Sequence, residues 1–339
     1  MTSSRLRGRK VLFIGGTGRI SSACSRRAVE LGADLHLLNR NLSSVRPAPE
    51  GATVITADVR DTDGVRAALK GQEFDVVVDF LGFTPGQVAR NVDLFAGRTG
   101  QYVFISSASA YRKPLTGRPL VESVPLENPY SAYARDKIAC EELLAAAHHE
   151  ERVPVTVVRP SHTYDRTAFP FPISGGYTVL ERMRQGKEVM VHGDGTSLWT
   201  LTHHTDFALG FTGLLAHPEA LGETFHLTGD EVLSWDGIYR TVAEAAGVEP
   251  RLVHVPSDAI AAYEPQWGEE FLGDKAHAMV FDNSKVRRVV PEFTASIPFA
   301  RGAREIVAWH DEDPSRRVVH ERLDALMDRL IDTHRPRPS

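Results

Sequence analysis

Along the first part of the chain, short apolar and β-branched runs end on residues that break strands. Lys10–Ile14 (KVLFI) stops at Gly15, and 34–38, 54–57, 75–79 and 101–105 repeat the pattern. Runs of this length with little alternation read as strands buried on both faces. Between them the spacing turns helical, over 22–31 with Gly32 as a C-cap, over 62–69 and over roughly 87–95. Strands alternating with helices predict an α/β fold, a doubly wound parallel sheet. A longer helical stretch opens at Tyr133 and runs to about His148, where His148-His149 suit the negative end of the helix dipole. Further on, the pattern predicts a helix capped by Ser234 and closed by Gly247, a short strand at Arg251–Val255, and helices over 303–310 and 314–331. The tail, 333–339, reads as loose.

Composition narrows this little. The 339 residues are 42% hydrophobic and 24% charged, as in ordinary globular enzymes. A net charge of −5 gives no pull towards nucleic acid or anionic membrane. The basic run 4–10 lacks the apolar core of a signal peptide, and nothing nears the roughly 18 uninterrupted apolar residues of a membrane span. A cytoplasmic protein with no membrane or nucleic-acid partner is expected, and a homodimer is left open. Cys24 and Cys140 fall inside expected helices and suggest no disulfide framework. The formal sequon Asn41-Leu42-Ser43 carries no meaning in that compartment.

Between the first strand and the first helix stands Gly15-Gly16-Thr17-Gly18-Arg19-Ile20-Ser21, nearly a Rossmann-type dinucleotide fingerprint. Gly15 permits the tight turn, and Gly18 lets backbone amides approach a pyrophosphate at the helix N-terminus. The third position needs a small side chain for helix–strand packing, and Ser21 there predicts a loop that survives with slightly looser packing. The end of the second strand selects the dinucleotide. Asn39 can bond a ribose hydroxyl without repelling a phosphate, and Arg40 can pair with a 2′-phosphate, which tilts the local reading towards NADP. Arg40 as a solvated loop residue is the alternative. Asp58, after the third strand, is placed to meet the adenine edge.

Past the fifth strand come Ser106-Ser107-Ala108-Ser109-Ala110-Tyr111 and then Tyr133-Ala134-Arg135-Asp136-Lys137. Tyrosine and lysine four apart share a helix face. An ammonium about 4 Å from a phenol, at an effective dielectric near 20, favours the phenolate by roughly 4 kcal/mol. That is about three pKa units, which predicts Tyr133 as a base near physiological pH. Ser107 would share the substrate oxygen and stabilise its developing charge.

Over about 11–227 these residues resemble the extended short-chain dehydrogenase/reductase superfamily, in its NAD-dependent epimerase/dehydratase branch. The landmarks are GGTGRIS, Asp58-Val59, Asn91, SSASAY, Glu122 with Pro125, YARDK, Arg159-Pro160 and GDGTSLWTLTHHTDFA. The resemblance implies that Ser107 and Tyr133 are catalytic and that Lys137 holds the nicotinamide ribose while tuning the phenol. It further implies a cofactor, NAD(P), held by Gly15, Thr17, Gly18, Arg19, Ile20, Asn39, Arg40, Asp58, Val59 and Leu81. Phe83, Ser109, Tyr111, His162 and Trp199 would meet the substrate, Tyr111 as a wall of its site. It also implies a dinucleotide-binding domain over 1–160 and a smaller C-terminal substrate-binding lobe over 161–332, some of whose segments return to the main sheet.

Three departures bear on the reaction. Sugar-nucleotide 4,6-dehydratases carry Asp-Glu after the catalytic hydroxyl, whereas this chain has Ala108-Ser109. His162 stands where the family usually has an asparagine for the diphosphate. Trp199 replaces the arginine that clamps it, losing a contact worth about 1.5–3 kcal/mol and offering a stacking face instead. A sugar-like or nucleoside-like small molecule is therefore favoured over a nucleotide-diphosphate sugar. His162 reads as a pocket histidine or an auxiliary acid–base. His192, His162, His203 and His204 lack metal-ligand spacing, so no metal is expected.

Three readings compete. In the leading one a retained dinucleotide takes a hydride while Tyr133 removes a hydroxyl proton, and the transient ketone permits epimerisation or dehydration before the hydride returns. The redox-neutral cycle favours NAD. The second is an NADPH-dependent reductase or dehydrogenase that exchanges cofactor, favoured by Asn39-Arg40. The third is a non-catalytic nucleotide- or RNA-binding relative, which the presence of Ser107, Tyr133 and Lys137 disfavours.

Overall fold

The structure is a computed structural model that describes residues 5–40, 45–173 and 175–335. The sequon at 41–43 and the tail beyond Arg335 lie outside the described residues. The main sheet is built from β1 (Lys10–Ile14), β2 (Asp34–Asn39), β3 (Thr53–Thr56), β4 (Val76–Asp79), β5 (Tyr102–Ile105) and β6 (Val155–Pro160). After β7 (His162–Tyr164), β8 (Glu188–His192) and β9 (Leu198–His203), β10 (Thr224–Leu227) returns to it. The order is β10-β6-β5-β4-β1-β2-β3, and every pairing is parallel. Strand order reverses between β1 and β4, and ligands bind at the carboxyl edge of such a switch point.

Helices cover both faces, as the apolar runs require. On one face α1 (Ser21–Glu30) packs beside a helix at His204–Leu214 over Phe13, Leu35, Phe207 and Phe211. On the other, α2 (Thr62–Ala68), α3 (Pro85–Phe95) and α4 (Ala132–His149) cover Leu12, Val77, Phe104 and Leu144. The spacing starts α3 near Gln87, but it begins at Pro85. Proline suits a first-turn position, and Thr84 forms a capping box with Gln87.

The lobe has its own core, around Phe171, Trp235, Tyr239 and Met327. β9 pairs with β7 and with β11 (Val232–Ser234), while β8 pairs with β12 (Arg251–Val255). Ser234 does cap its helix, accepting from Gly237 N. The helix expected over 314–331 divides into a short turn at Pro314–Arg316 and a helix at Glu321–His334. The latter runs into the stretch expected to be loose, and Arg335 pairs there with Glu188.

Candidate active site

One cavity of about 1030 Å³ opens along the carboxyl edge of the sheet, between sheet and lobe. Its sheet side is lined by Gly15, Gly18, Arg19, Ile20, Ser21, Leu81, Phe83, Ser107, Ser109, Tyr133 and Lys137. The lobe contributes His162 and Trp199, and with them Glu270, Asp274 and Lys275.

The glycine-rich loop follows a rule the fingerprint only half expresses. Gly15 has φ +89°, and a Cβ there would lie 2.5 Å from Leu81 Cγ, so only glycine makes this turn. Close helix–strand packing falls on Gly16, where a Cβ would lie 2.4 Å from Leu37 Cδ2. Ser21 does not loosen the loop. Its hydroxyl donates to Gly15 O at 2.6 Å and accepts from Gly18 N at 2.8 Å, stitching the turn closed. The N-terminus of α1 has no side-chain cap and no acidic residue in its first turn, and it meets the cavity beside Arg19. That end of the cavity therefore suits an anionic diphosphate, and the residues present fit a bound dinucleotide.

The residues expected to meet the adenosine lie outside this cavity. Asn39 closes β2 nearly buried and Arg40 follows it exposed. Neither they nor Thr17 and Val59 line the cavity. The Asp58 carboxylate, expected at the adenine edge, is engaged by Arg60 through Nη2 at 2.5 Å and Nε at 3.0 Å, which holds it well below the usual carboxylate range.

At the reactive centre, a tight turn over Ala108–Ala110 begins at Ser107, whose hydroxyl accepts from Ser109 Oγ at 2.9 Å. Tyr133, in the first turn of α4, is 44% exposed yet brings its phenol to Ser107. Lys137, one turn on, is 1% exposed. Its ammonium is committed to backbone carbonyls rather than bonded to the phenol. It donates to Gly82 O at 2.8 Å and Ile105 O at 2.7 Å and sits 5.8 Å from the Tyr133 ring. The expected lowering of the phenol is accordingly missing. Burial, opposed by the Ser107 hydroxyl, pushes Tyr133 up to about 12, and burial pulls Lys137 down to about 8.

Tyr111 is not a wall of the substrate site. The turn after Ser107 sends it into the core, where its hydroxyl pairs with His226 Nδ1 at 3.2 Å and Arg159 stacks on its ring at 4.9 Å. Arg159 also holds Glu141 at 2.6 Å, and Ser106 donates to the same carboxylate at 2.5 Å. These landmarks brace the floor beneath Ser107. Asn91 likewise serves structure, donating to the buried Asp79 carboxylate at 2.8 Å.

Trp199 lines the cavity but offers no stacking face. It is 3% exposed, with Lys275 Nζ 4.8 Å from its ring and Trp235 at 5.2 Å. Lys275 was not foreseen. A π-helical turn over Phe271–Lys275 brings it in, paired with Asp274 at 2.6 Å and Glu270 at 3.7 Å. The π-turn, common at functional sites, has no periodicity a sequence pattern would reveal. His162 sits among like charges. Burial, with Lys275 and Arg19 nearby, pushes it well below its ordinary value, so it is neutral at physiological pH. Away from the cavity, His203 caps the helix at His204–Leu214 and pairs with Glu305 at 3.1 Å. Among the described residues, no helix is long and apolar enough to cross a membrane.

A parallel sheet with a glycine-rich first turn, and serine, tyrosine and lysine at its carboxyl edge, define a short-chain dehydrogenase/reductase-type protein. Within that class, the chain belongs to the NAD dependent epimerase/dehydratase family, whose sequence profile matches residues 11–227. It is 27% identical over 317 residues to the chloroplast stem-loop binding protein of 41 kDa b of Arabidopsis thaliana, covering 90% of this chain and 75% of that protein. It is 27% identical over 288 residues to 2'-dehydrokanamycin reductase of Streptomyces kanamyceticus, covering 84% and 80%. An epimerase of Methanothermobacter thermautotrophicus superposes with a TM-score of 0.76 at 17% identity, covering 93% of this chain and 96% of that one.

Proposed function

We propose that this protein is an NAD(P)-dependent epimerase or dehydratase that acts on a sugar, nucleoside or related polyol through a transient ketone, with the dinucleotide retained. The observation that carries this reading is the meeting of Ser107, Tyr133 and Lys137 with the glycine-rich loop in one cavity. When bound, the nicotinamide accepts and returns the hydride, and its cationic ring favours the phenolate. Tyr133 takes the hydroxyl proton and later restores it, while the Ser107 hydroxyl donates to the same oxygen. Lys137, anchored on Gly82 O and Ile105 O, holds the nicotinamide ribose. Ala108-Ser109 supplies no carboxylate for elimination, so in a dehydration the proton on the carbon beside the ketone would pass to neutral His162 and from it to the departing hydroxyl, which leaves as water.

The substrate half supports an unphosphorylated ligand. The clamp position is the packed Trp199, and the nearby ammonium of Lys275 is balanced by Asp274 and Glu270. A diphosphate would meet two carboxylates there. Thermal shift and turnover on a panel of nucleotide sugars, free sugars and nucleosides test this. Micromolar binding of a nucleotide sugar overturns the substrate assignment.

The second reading, an NADPH-dependent reductase of a small carbonyl or hydroxyl substrate, is favoured by Asn39-Arg40 at the end of β2 and by the reductase relative. Identifying the dinucleotide released on denaturing the purified protein separates the two. Bound NAD or NADH supports retention, and an empty site that takes NADPH supports exchange.

A further inference from the structure

A contact that takes no part in the chemistry above joins the two banks of the dinucleotide cleft. Arg46, between β2 and β3, reaches to the first residues after β7. Its Nε donates to Asp165 Oδ2 at 2.6 Å and its Nη2 to Asp165 Oδ1 at 3.3 Å, with Thr167 Oγ1 as a further acceptor. Thr167 fixes the carboxylate from the other side, donating through N at 2.9 Å and Oγ1 at 2.6 Å. The pair is largely withdrawn from water, with side-chain exposures of 20% for Arg46 and 3% for Asp165. Such a forked, desolvated pair is costly to break from one side.

Its position gives it meaning. Arg46 follows the strand whose end selects the dinucleotide, and Asp165 follows the strand that carries His162. Thr167 and Ala168 line the cavity, as do Arg19, Gly15 and Gly18. Asp165 and Arg46 do not themselves line the cavity, but Thr167, bonded to both, does, and Arg19 of the glycine-rich loop lies within electrostatic reach of the pair, Asp165 favouring its charge and Arg46 opposing it. Asp165 balances Arg46, which leaves Arg19 and the uncapped start of α1 at the cavity.

We propose that Arg46 and Asp165 form a clasp over the dinucleotide's diphosphate, that they must part before the dinucleotide can leave, and that Arg19 beneath them meets the diphosphate charge. The proposal rests on the retained-dinucleotide reading and gives it a physical cause. Residues from both banks close over the middle of the ligand, so its departure requires the lobe to give way.

The test reads release rather than turnover. Protein saturated with NADH, with NADPH in parallel, is freed of excess ligand and mixed with excess ADP-ribose, and the fall in bound-nicotinamide fluorescence gives the dissociation rate. Arg46→Ala and Asp165→Asn should each release the dinucleotide about tenfold faster or more. Arg46→Lys, which keeps the charge but not the fork, should fall between them and the wild type. Melting curves of the unliganded variants guard against a lost fold, and the lysine variant carries the test if alanine fails to fold. Release within twofold of wild type in every folded variant overturns the clasp and leaves the redox-neutral reading to the substrate panel. A wild-type protein that binds neither dinucleotide overturns both.

Discussion

Five residues of one short stretch, Gly15 and 18–21, line the end of the cavity suited to a diphosphate, whereas the facing lobe draws His162, Trp199, Glu270, Asp274 and Lys275 from segments spread between residues 162 and 275. The loop works through backbone: a left-handed glycine, a glycine that admits Leu37, and a serine that ties the turn to itself. The lobe works through side chains whose charges balance one another in place. One bank is local and tolerates little change in shape; the other is non-local and tolerates little change in charge. The two banks should therefore fail differently when altered.

The largest effect belongs to the reactive residues between them. Tyr133→Phe should lower turnover by roughly 10²–10⁴ while leaving dinucleotide affinity unchanged, measured by steady-state kinetics and by titration. On the lobe side, Lys275→Met strips Asp274 of its 2.6 Å partner and should cost about 3–5 kcal/mol in denaturant unfolding. Adding Asp274→Asn should recover part of that loss, which a defect of shape would not allow.

Lys137 supplies a pH test. Its folded value lies near 8 against an ordinary 10.5, so the unfolded chain binds the extra proton between those values and stability rises with pH across that window. The contribution is about 3 kcal/mol, and Lys137→Met should flatten that part of the unliganded protein's stability profile. Above pH 10 Tyr133 acts in the opposite sense, because its raised phenol opposes ionisation in the folded state.

On the loop side, Gly16→Ala should destabilise by about 1–3 kcal/mol through Leu37. Gly18→Ala meets Ser21 Oγ at 3.2 Å and Gly15 O at 3.9 Å, and should cost less in stability while weakening the dinucleotide. Equal melting losses for the two would show that the loop is not shaped by the packing described.

The same contrast explains what could be read from the chain. The strands and helices up to residue 149 were legible because each is a local apolar pattern with its own stop signal, and α3 differs only because Thr84 and Pro85 set its start. The loop, Ser107, Tyr133 and Lys137 were legible because consecutive or helical spacing places them. Tyr111 was misread because one tight turn reverses its direction, and Trp199 because its neighbours Lys275 and Trp235 come from elsewhere in the chain. The direction of the Lys137 ammonium depends on two backbone carbonyls, which no side-chain spacing records.

The return of β10 to the main sheet bears on how the protein is made. The chain leaves the sheet after β6, builds β7, β8 and β9 in the lobe, lays the helix at His204–Leu214 back on the sheet's face, and adds a strand only at Thr224, which pairs with Val157 and its neighbour with Val158. During synthesis β6 is an apolar edge without its outer neighbour until residue 227 has emerged, the kind of edge that invites pairing with another chain. The sheet is thus completed only after the first part of the lobe has been made, and a break after residue 160 would release a sticky, unfinished sheet instead of a free-standing dinucleotide domain. New substrate pockets in such an architecture arise by changes both between β6 and β10 and after β10, because the lobe is drawn from both stretches and cannot be exchanged as a separate module.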